Sequence, residues 1–441
     1  MRVLFIDRAG DGGLDIALRA QDAGHQVRYF LRDLDRAKRP IGVGLVDLVD
    51  DWRKWARWAD LIVALQNDYL MLELERLRAE GCLVIGGSPA SAAWESDRGL
   101  GMKVFKKAGI PVPAYREFSD YDSAIAYVKR QDAAFVSKPS GHCDDKALSY
   151  VAKSPADLIY MLYRWKKAGK RSGLEFILQE KIEGIEFAVG AWFGPSGFAP
   201  GREENFEHKK LMPGDKGPNT GEMGTVMRYV RESKLARQVL DPLEPFLAEI
   251  GYVGNIDVNC IIDTDGHAWP LEFTTRCGWP AFNIEQALFA VDPIEFLYGL
   301  ASGSPPRAAH RYDQVAVGVV LAIPDFPYSH VTRKEVIGIP VYGLTPELME
   351  HVHPCEMMMG EAPHSTGGKI VTEPCLVTAG DYVLVATGCG NGVREARRAA
   401  YRVIENISLP ASPFWRDDIG ERVAKELPKL QAHGFSSDWS V

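Results

Sequence analysis

Apolar and polar positions follow two different periods along this chain, and each change of period marks an element. Val3, Leu4, Phe5 and Ile6 form an unbroken apolar run, the pattern of a strand buried on both faces. Gly10, Gly12 and Gly13 follow, then a helical pattern over residues 14–24. Residues 27–31, 61–65 and 83–86 supply three more apolar runs with helical patterns between. Strands alternating with helices predict a parallel, doubly wound domain over residues 1–100. Trp52, Trp55 and Trp58 recur every third residue, which predicts a helix face packed on a core.

A helix ends over residues 103–109, and Ile110-Pro111-Val112-Pro113 is extended. Residues 115–190 read as a small α/β unit. Long strands follow around residues 187–193 and 255–262, with a helix over about 233–250 between them. Residues 301–306, rich in Ser, Gly and Pro, read as a linker. Beyond it lie strands at 315–323 and 382–386 and a helix at 393–406. The expected class is α/β in three parts: the doubly wound domain, a central domain of two α+β lobes over 101–304 (small lobe about 111–187), and a small C-terminal α/β domain over 305–441.

The 441 residues are too many for one ordinary core, which agrees with several domains. Apolar content of 46% and charged content of 25% describe a globular protein. A net charge of -8 argues against a nucleic-acid surface. Seven scattered cysteines, with no C-x-x-C pair, predict reduced thiols in a cytoplasmic protein. A strand begins directly after Met1, so no signal peptide is expected, and no apolar run approaches the ~20 residues of a membrane helix. Small-molecule partners are expected, and monomer and homodimer both remain open.

Three segments carry chemistry, and their order matters more than any one of them. Lys138 ends a strand, and Lys146 lies eight residues on across a turn. Alone they read more readily as surface lysines; together they suit phosphates, although Asp144 and Asp145 in the turn would have to point outward. His208-Lys209-Lys210 precedes the turn-forming Gly217-Pro218-Asn219-Thr220-Gly221, which predicts substrate or phosphate positioning under a closing loop. Asp257 and Asn259 share one face of a strand, and a hairpin at residues 263–266 brings one of them opposite Glu272. Hard oxygen ligands on paired strands suit Mg²⁺ (or Mn²⁺), and Arg276 is placed to neutralise a transferred phosphoryl group. Cations, lid and metal carboxylate are what ATP-driven activation of a carboxylate requires.

On these residues the chain resembles the ATP-grasp superfamily, and within it the phosphoribosylamine–glycine ligases, over nearly its whole length. His208-Lys209-Lys210 and Gly217-Pro218-Asn219-Thr220-Gly221-Glu222-Met223-Gly224 match the family's D-H-K-R and G-P-N-T-G-G-M-G. Lys138 and Lys146 match its paired lysines. Gln179, Glu180, Ile182 and Glu186 match its adenosine-binding hinge, where Glu186 is expected to hold ribose hydroxyls. Glu272 and Arg276 match E-F-N-x-R. Arg98 stands where many of these enzymes carry a phosphate lysine. The resemblance implies an ATP-grasp fold, ATP and Mg²⁺ as cofactors, phosphate-binding Arg98, Lys138 and Lys146, catalytic Arg276, Lys209 and Asn219, and substrate contacts from His208, Pro218, Thr220 and Gly221.

The departures fall on the acceptor side. The family's G-G-R-E-H-A reads Gly12-Gly13-Leu14-Asp15-Ile16-Ala17, and its G-G-R-V-L reads Gly380-Asp381-Tyr382-Val383-Leu384, so two arginines and a histidine are gone. Such losses remove roughly 1.5–3 kcal/mol per charged hydrogen bond to a phosphate. Thr274 replaces a metal-binding Asn, and R-F-G-D-P-E becomes Arg276-Cys277-Gly278-Trp279-Pro280-Ala281. The expectation is an ADP-forming carboxylate–amine ligase with a rewritten amine pocket, retaining Gly12, Gly13 and Asp15 as substrate contacts. Two alternatives stand beside it: the family's own purine-pathway reaction, with Arg8 and Arg19 as substitute phosphate ligands, and a non-catalytic nucleotide-binding regulator.

Overall fold

Arg2–Asp7, the first apolar run, lies inside a four-stranded parallel sheet of order Gln26–Leu31, Arg2–Asp7, Leu61–Ala64, Val84–Ile85. The computed structural model describes residues 1–8, 12–32, 40–67, 70–140, 149–169, 175–328 and 333–441. Alternate residues of the first strand serve two cores. Val3 and Phe5 pack with Leu14, Ile16 and Ala17 of the helix Leu14–Asp22; Leu4 and Ile6 pack with Trp52, Met71 and Leu74. Burial on both faces explains why this run shows no polar alternation.

The tryptophan triplet does not form a helix face. Asp51 caps one 3₁₀ turn, Trp52–Trp55, and of the three only Trp52 is fully buried. Trp55 and Trp58 meet edge to face at 5.6 Å, with the Arg28 guanidinium 4.5 and 5.4 Å from their rings. Trp55 packs partly against the core that holds Trp52, and cation–π contact with Arg28 engages both outer rings. The single helix expected over 233–250 is also broken, into Lys234–Val239 and Glu244–Glu249 with a 3₁₀ turn between. Pro242 and Pro245 explain the break, since neither supplies a backbone N–H.

The small lobe is an antiparallel sheet of order Tyr115–Phe118, Phe176–Glu180, Phe135–Pro139, Tyr150–Val151. Its core joins Phe118, Ile125, Leu158, Leu162 and Leu178. The dominant element is an antiparallel sheet running Ala268–Thr274, Gly254–Asp263, Gly184–Gly194, Arg202–Glu207, Gly224–Val230, Val315–Ala322, Tyr382–Gly390, Val352–Pro354. Val315–Ala322 pairs with Gly224–Val230 on one side and Tyr382–Gly390 on the other, so strands beyond residue 305 extend the central sheet. A long hairpin, Met357–Thr366 with Lys369–Thr378, stands apart as its own two-stranded sheet. No helix among the described residues is long and apolar enough to cross a membrane.

Candidate active site

The hairpin of Gly254–Asp263 and Ala268–Thr274 sets the register of the site. Asn259 faces Glu272, and Asp257 faces Thr274. All four line a cavity of about 620 Å³. Arg98, Arg276, Lys209 and the loop residues Pro218, Asn219, Thr220 and Gly221 line it too. Residues from several separate segments of the sequence thus meet in one space.

The cations are held by carboxylates. Arg98 Nη2 lies 3.0 Å from Glu272 Oε2, while its buried Nη1 has no hydrogen-bond partner among the described residues. Arg276 pairs with Glu95 at 3.0 Å. Lys209 Nζ lies 2.7 Å from Glu186, 2.9 Å from Glu207 and 3.6 Å from Glu272. Desolvation would lower the Lys209 ammonium, but these three carboxylates hold it well above the ordinary lysine value. Lys138 reaches across from the small lobe, where its Nζ donates to the Leu271 carbonyl at 3.1 Å. Burial pushes it down to about 8, opposed by Glu272 and reinforced by Arg98 and Lys209.

The segment expected as a turn over 217–221 is partly extended. Lys216–Asn219 pairs with Lys210–Met212, and the reversal falls at Pro213-Gly214-Asp215. The Thr220 N–H and hydroxyl both donate to the Lys209 carbonyl, at 2.8 and 2.9 Å. These bonds tie the loop to the central lysine. A Cβ on Gly221 would lie 2.7 Å from Trp279 Cζ3, so the loop needs glycine there.

Other candidates sit elsewhere. Lys146 lies outside the described residues. Gln179 is buried with its amide on the Met102 sulfur at 3.5 Å, whereas Glu180 is exposed and Ile182 half-buried along the hinge. Glu186 is engaged by Lys209, which overcomes burial and holds its carboxyl below the usual range. His208 is buried outside the cavity lining. Its Nε2 accepts the Gly420 N–H at 3.3 Å, and burial holds the ring neutral by lowering its pKa well below the usual value. That geometry fits a strut beneath the loop, not a substrate contact.

Gly12, Gly13 and Asp15 do not line the cavity either. Asp15 is buried and bonded to Arg19 at 2.8 Å, His353 at 2.7 Å and Gln286 at 2.6 Å, which makes it a junction with the C-terminal segment. The same contact fixes Arg19. Arg8 does line the cavity. The Gly13 N–H donates to Asp7 Oδ2 at 3.1 Å, and the Arg8 N–H to Asp7 Oδ1 at 2.6 Å. The Asp7 carboxylate therefore occupies the amide of Gly13, the residue that precedes the helix Leu14–Asp22.

Sequence reasoning missed an acidic end of the cavity, built from Glu203, Glu222 and Glu285 beside Asp257. Burial raises Glu203 and Glu222 well above the usual carboxylate range, reinforced by neighbouring carboxylates. Burial brings Asp257 and Glu285 up to about 7. The available signal was the run Glu203-Glu204-Asn205 in the middle of a strand whose neighbours are apolar.

The donor set at the hairpin fits a hard divalent cation. Asn259 Nδ2 donates to Glu207 at 2.8 Å, which leaves its buried Oδ1, opposite the Glu272 carboxylate, without a partner among the described residues. The unpartnered Arg98 Nη1 fits a phosphate oxygen in the same way.

A family model described as the ATP-grasp (A) domain of phosphoribosylglycinamide synthetase matches residues 97–281, the segment that carries most of this cavity. Residues 97–281 thus carry an ATP-grasp domain. The chain is similar to the phosphoribosylamine–glycine ligase of Salmonella typhimurium, 25% identical over 96% of this chain and 98% of that one. The Mesorhizobium japonicum ligase of the same name is 28% identical over 79% and 80%. In fold it resembles the Thermotoga maritima phosphoribosylamine–glycine ligase, with TM-score 0.71 and 20% identity over 95% of this chain and 100% of that one. Campylobacter jejuni biotin carboxylase, at TM-score 0.62 and 12% identity, covers 99% and 98%. These neighbours share the doubly wound domain and the antiparallel lobes of the ATP-grasp fold.

Proposed function

We propose that this protein is an ADP-forming carboxylate–amine ligase. The observation that carries the reading is the convergence of Arg98, Arg276 and Lys209 with Glu272 and Asn259 in one cavity, with Lys138 of the small lobe bonded to the Leu271 carbonyl next to Glu272. ATP and Mg²⁺ are the implied cofactors; the cation would be held by Glu272 and Asn259, where it supplies charge to the transferring phosphoryl group. Arg98, Lys138 and Arg276 orient and neutralise phosphates. The loop at Pro218–Gly221 excludes water from the reacting carboxylate. In the reaction a carboxylate oxygen takes the γ-phosphoryl group and ADP leaves. An unprotonated amine then attacks the acyl carbon, the C–O bond to phosphate breaks, and inorganic phosphate departs. Asp257, with a pKa near 7, is suited to accept the amine's proton.

A second reading, phosphoribosylamine as the amine and glycine as the acid, is favoured by the near full-length match to ligases of that name. Against it stand the Asp7 carboxylate on the Gly13 and Arg8 amides and the acidic end of the cavity. The test is ADP release from the purified protein with ATP, Mg²⁺, glycine and freshly generated phosphoribosylamine, beside parallel reactions with other amines. Turnover confined to phosphoribosylamine favours the second reading. Turnover on another amine favours a rewritten pocket, and no amine-dependent ADP with any acid would sink the ligase reading.

A further inference from the structure

Seven carboxylates and four cationic side chains line the cavity. Glu95 pairs with Arg276, Glu272 with Arg98 and Glu207 with Lys209. Glu203, Glu222, Asp257 and Glu285 have no lysine or arginine within ion-pair distance among the described residues. Three of these four are nearly inaccessible: Glu203 at 4%, Glu222 at 3% and Glu285 at 2%. Buried carboxylates without counter-charges are costly to keep ionised, so this end of the cavity is complementary to a cation brought by the ligand.

Three of the four are positioned by neutral donors. Asn205 Nδ2 bridges Glu203 and Asp257, at 3.1 Å to each. Glu285 accepts from the Trp192 indole at 2.5 Å and from the Tyr229 hydroxyl. Glu222 differs: its Oε1 is buried on the cavity wall with no hydrogen-bond partner among the described residues. It also stands where the resembled loop pattern carries glycine, so the chain has placed a carboxylate where none is needed for the turn. At the C-terminal end of the first strand Asp7 takes up the amides of Gly13 and Arg8. Carboxyl groups are thus concentrated at this end of the cavity, where a phosphorylated amine would need cations.

We propose that the acidic end of this cavity is an ammonium subsite, and that the acceptor is an unphosphorylated diamine. One nitrogen would be acylated, and the other would stay protonated against Glu222 and Glu203. More than one unpaired carboxylate calls for more than one positive centre, which a monoamine lacks. The reacting nitrogen forms the C–N bond as phosphate leaves, and its proton passes to a cavity carboxylate. This inference rests on the ligase reading for the reaction, but the ammonium subsite can be measured without turnover.

The test is calorimetric titration of 1,4-diaminobutane and n-butylamine into the full chain with Mg²⁺ and a non-hydrolysable ATP analogue. Ethanolamine phosphate serves as the phosphorylated probe. The diamine is expected to bind at least about tenfold tighter than butylamine, and Glu222→Gln or Glu203→Gln to reduce that preference below about threefold. Equal affinity for the two amines, tighter binding of ethanolamine phosphate, or a diamine preference untouched by both variants would overturn the proposal. A preference for glycine over acetate with no diamine effect would also overturn it, by assigning the carboxylates to the amino acid. ADP release is measured alongside with glycine as the acid. Diamine binding with no ADP from any amine would leave the subsite standing and remove the ligase. ADP formation on a monoamine without diamine preference would do the reverse.

Discussion

Glu285→Gln isolates the electrostatic strain stored at the acidic end of the cavity. Glu285 accepts from the Trp192 indole and the Tyr229 hydroxyl, and a glutamine carbonyl can keep both bonds. Burial raises the carboxyl from 4.5 to about 7. Between those values the folded protein holds a proton that the unfolded chain has released. Stability is therefore full below the unfolded value and is lost as pH rises through the folded one. The shift corresponds to at most about 3 kcal/mol, at 1.36 kcal/mol per unit. The glutamine variant escapes this loss. Urea denaturation of both proteins from pH 5 to pH 8 measures it: the variant should gain stability relative to the parent across that range, approaching ~3 kcal/mol at the top. A difference that stays flat, or that favours the parent as pH rises, would refute the reasoning.

Lys138→Met should lower kcat/KM for ATP by about a hundredfold or more with the circular dichroism spectrum unchanged, because it removes a cation aimed at phosphate; parental ADP release would contradict this. Since burial brings Lys138 to about 8, its charge is present below that pH, so the parental kcat/KM for ATP should fall above pH 8 and Lys138→Arg should move the fall upward. Glu272→Gln should raise the Mg²⁺ concentration giving half-maximal ADP release by at least about tenfold, the scale of even an outer-shell ligand loss. Gly221→Val puts a Cβ against Trp279 Cζ3 at 2.7 Å and should destabilise by about 1–3 kcal/mol in urea, with Trp279→Ala in the same chain restoring part of the loss.

What the sequence disclosed and what it hid follow from how local each signal is. The first strand, its two-sided burial and the alternation with helices were legible because each depends on a few neighbouring side chains. The facing of Asn259 and Glu272 was legible because a short hairpin joins their strands. The acidic end was not, since Glu203, Glu222, Asp257 and Glu285 belong to four elements whose convergence depends on the whole sheet. Trp192 and Glu285, bonded at 2.5 Å, are 93 positions apart. Asp15 differs from its expected role: the resembled motif implied a substrate contact, but beside Arg19 its partners are residues 286 and 353, far along the chain. The tryptophan spacing misled because three residues per turn suits a 3₁₀ turn as well as a helix face.

The central claim is that this cavity activates a carboxylate with ATP, and hydroxylamine trapping tests it most directly. The protein is incubated with ATP, Mg²⁺, a carboxylic acid panel that includes glycine, and hydroxylamine in place of the natural amine. The account predicts hydroxamate formation in step with ADP release, absent in Lys138→Met and Glu272→Gln. Nucleotide binding in the parent with neither ADP nor hydroxamate from any acid would contradict it.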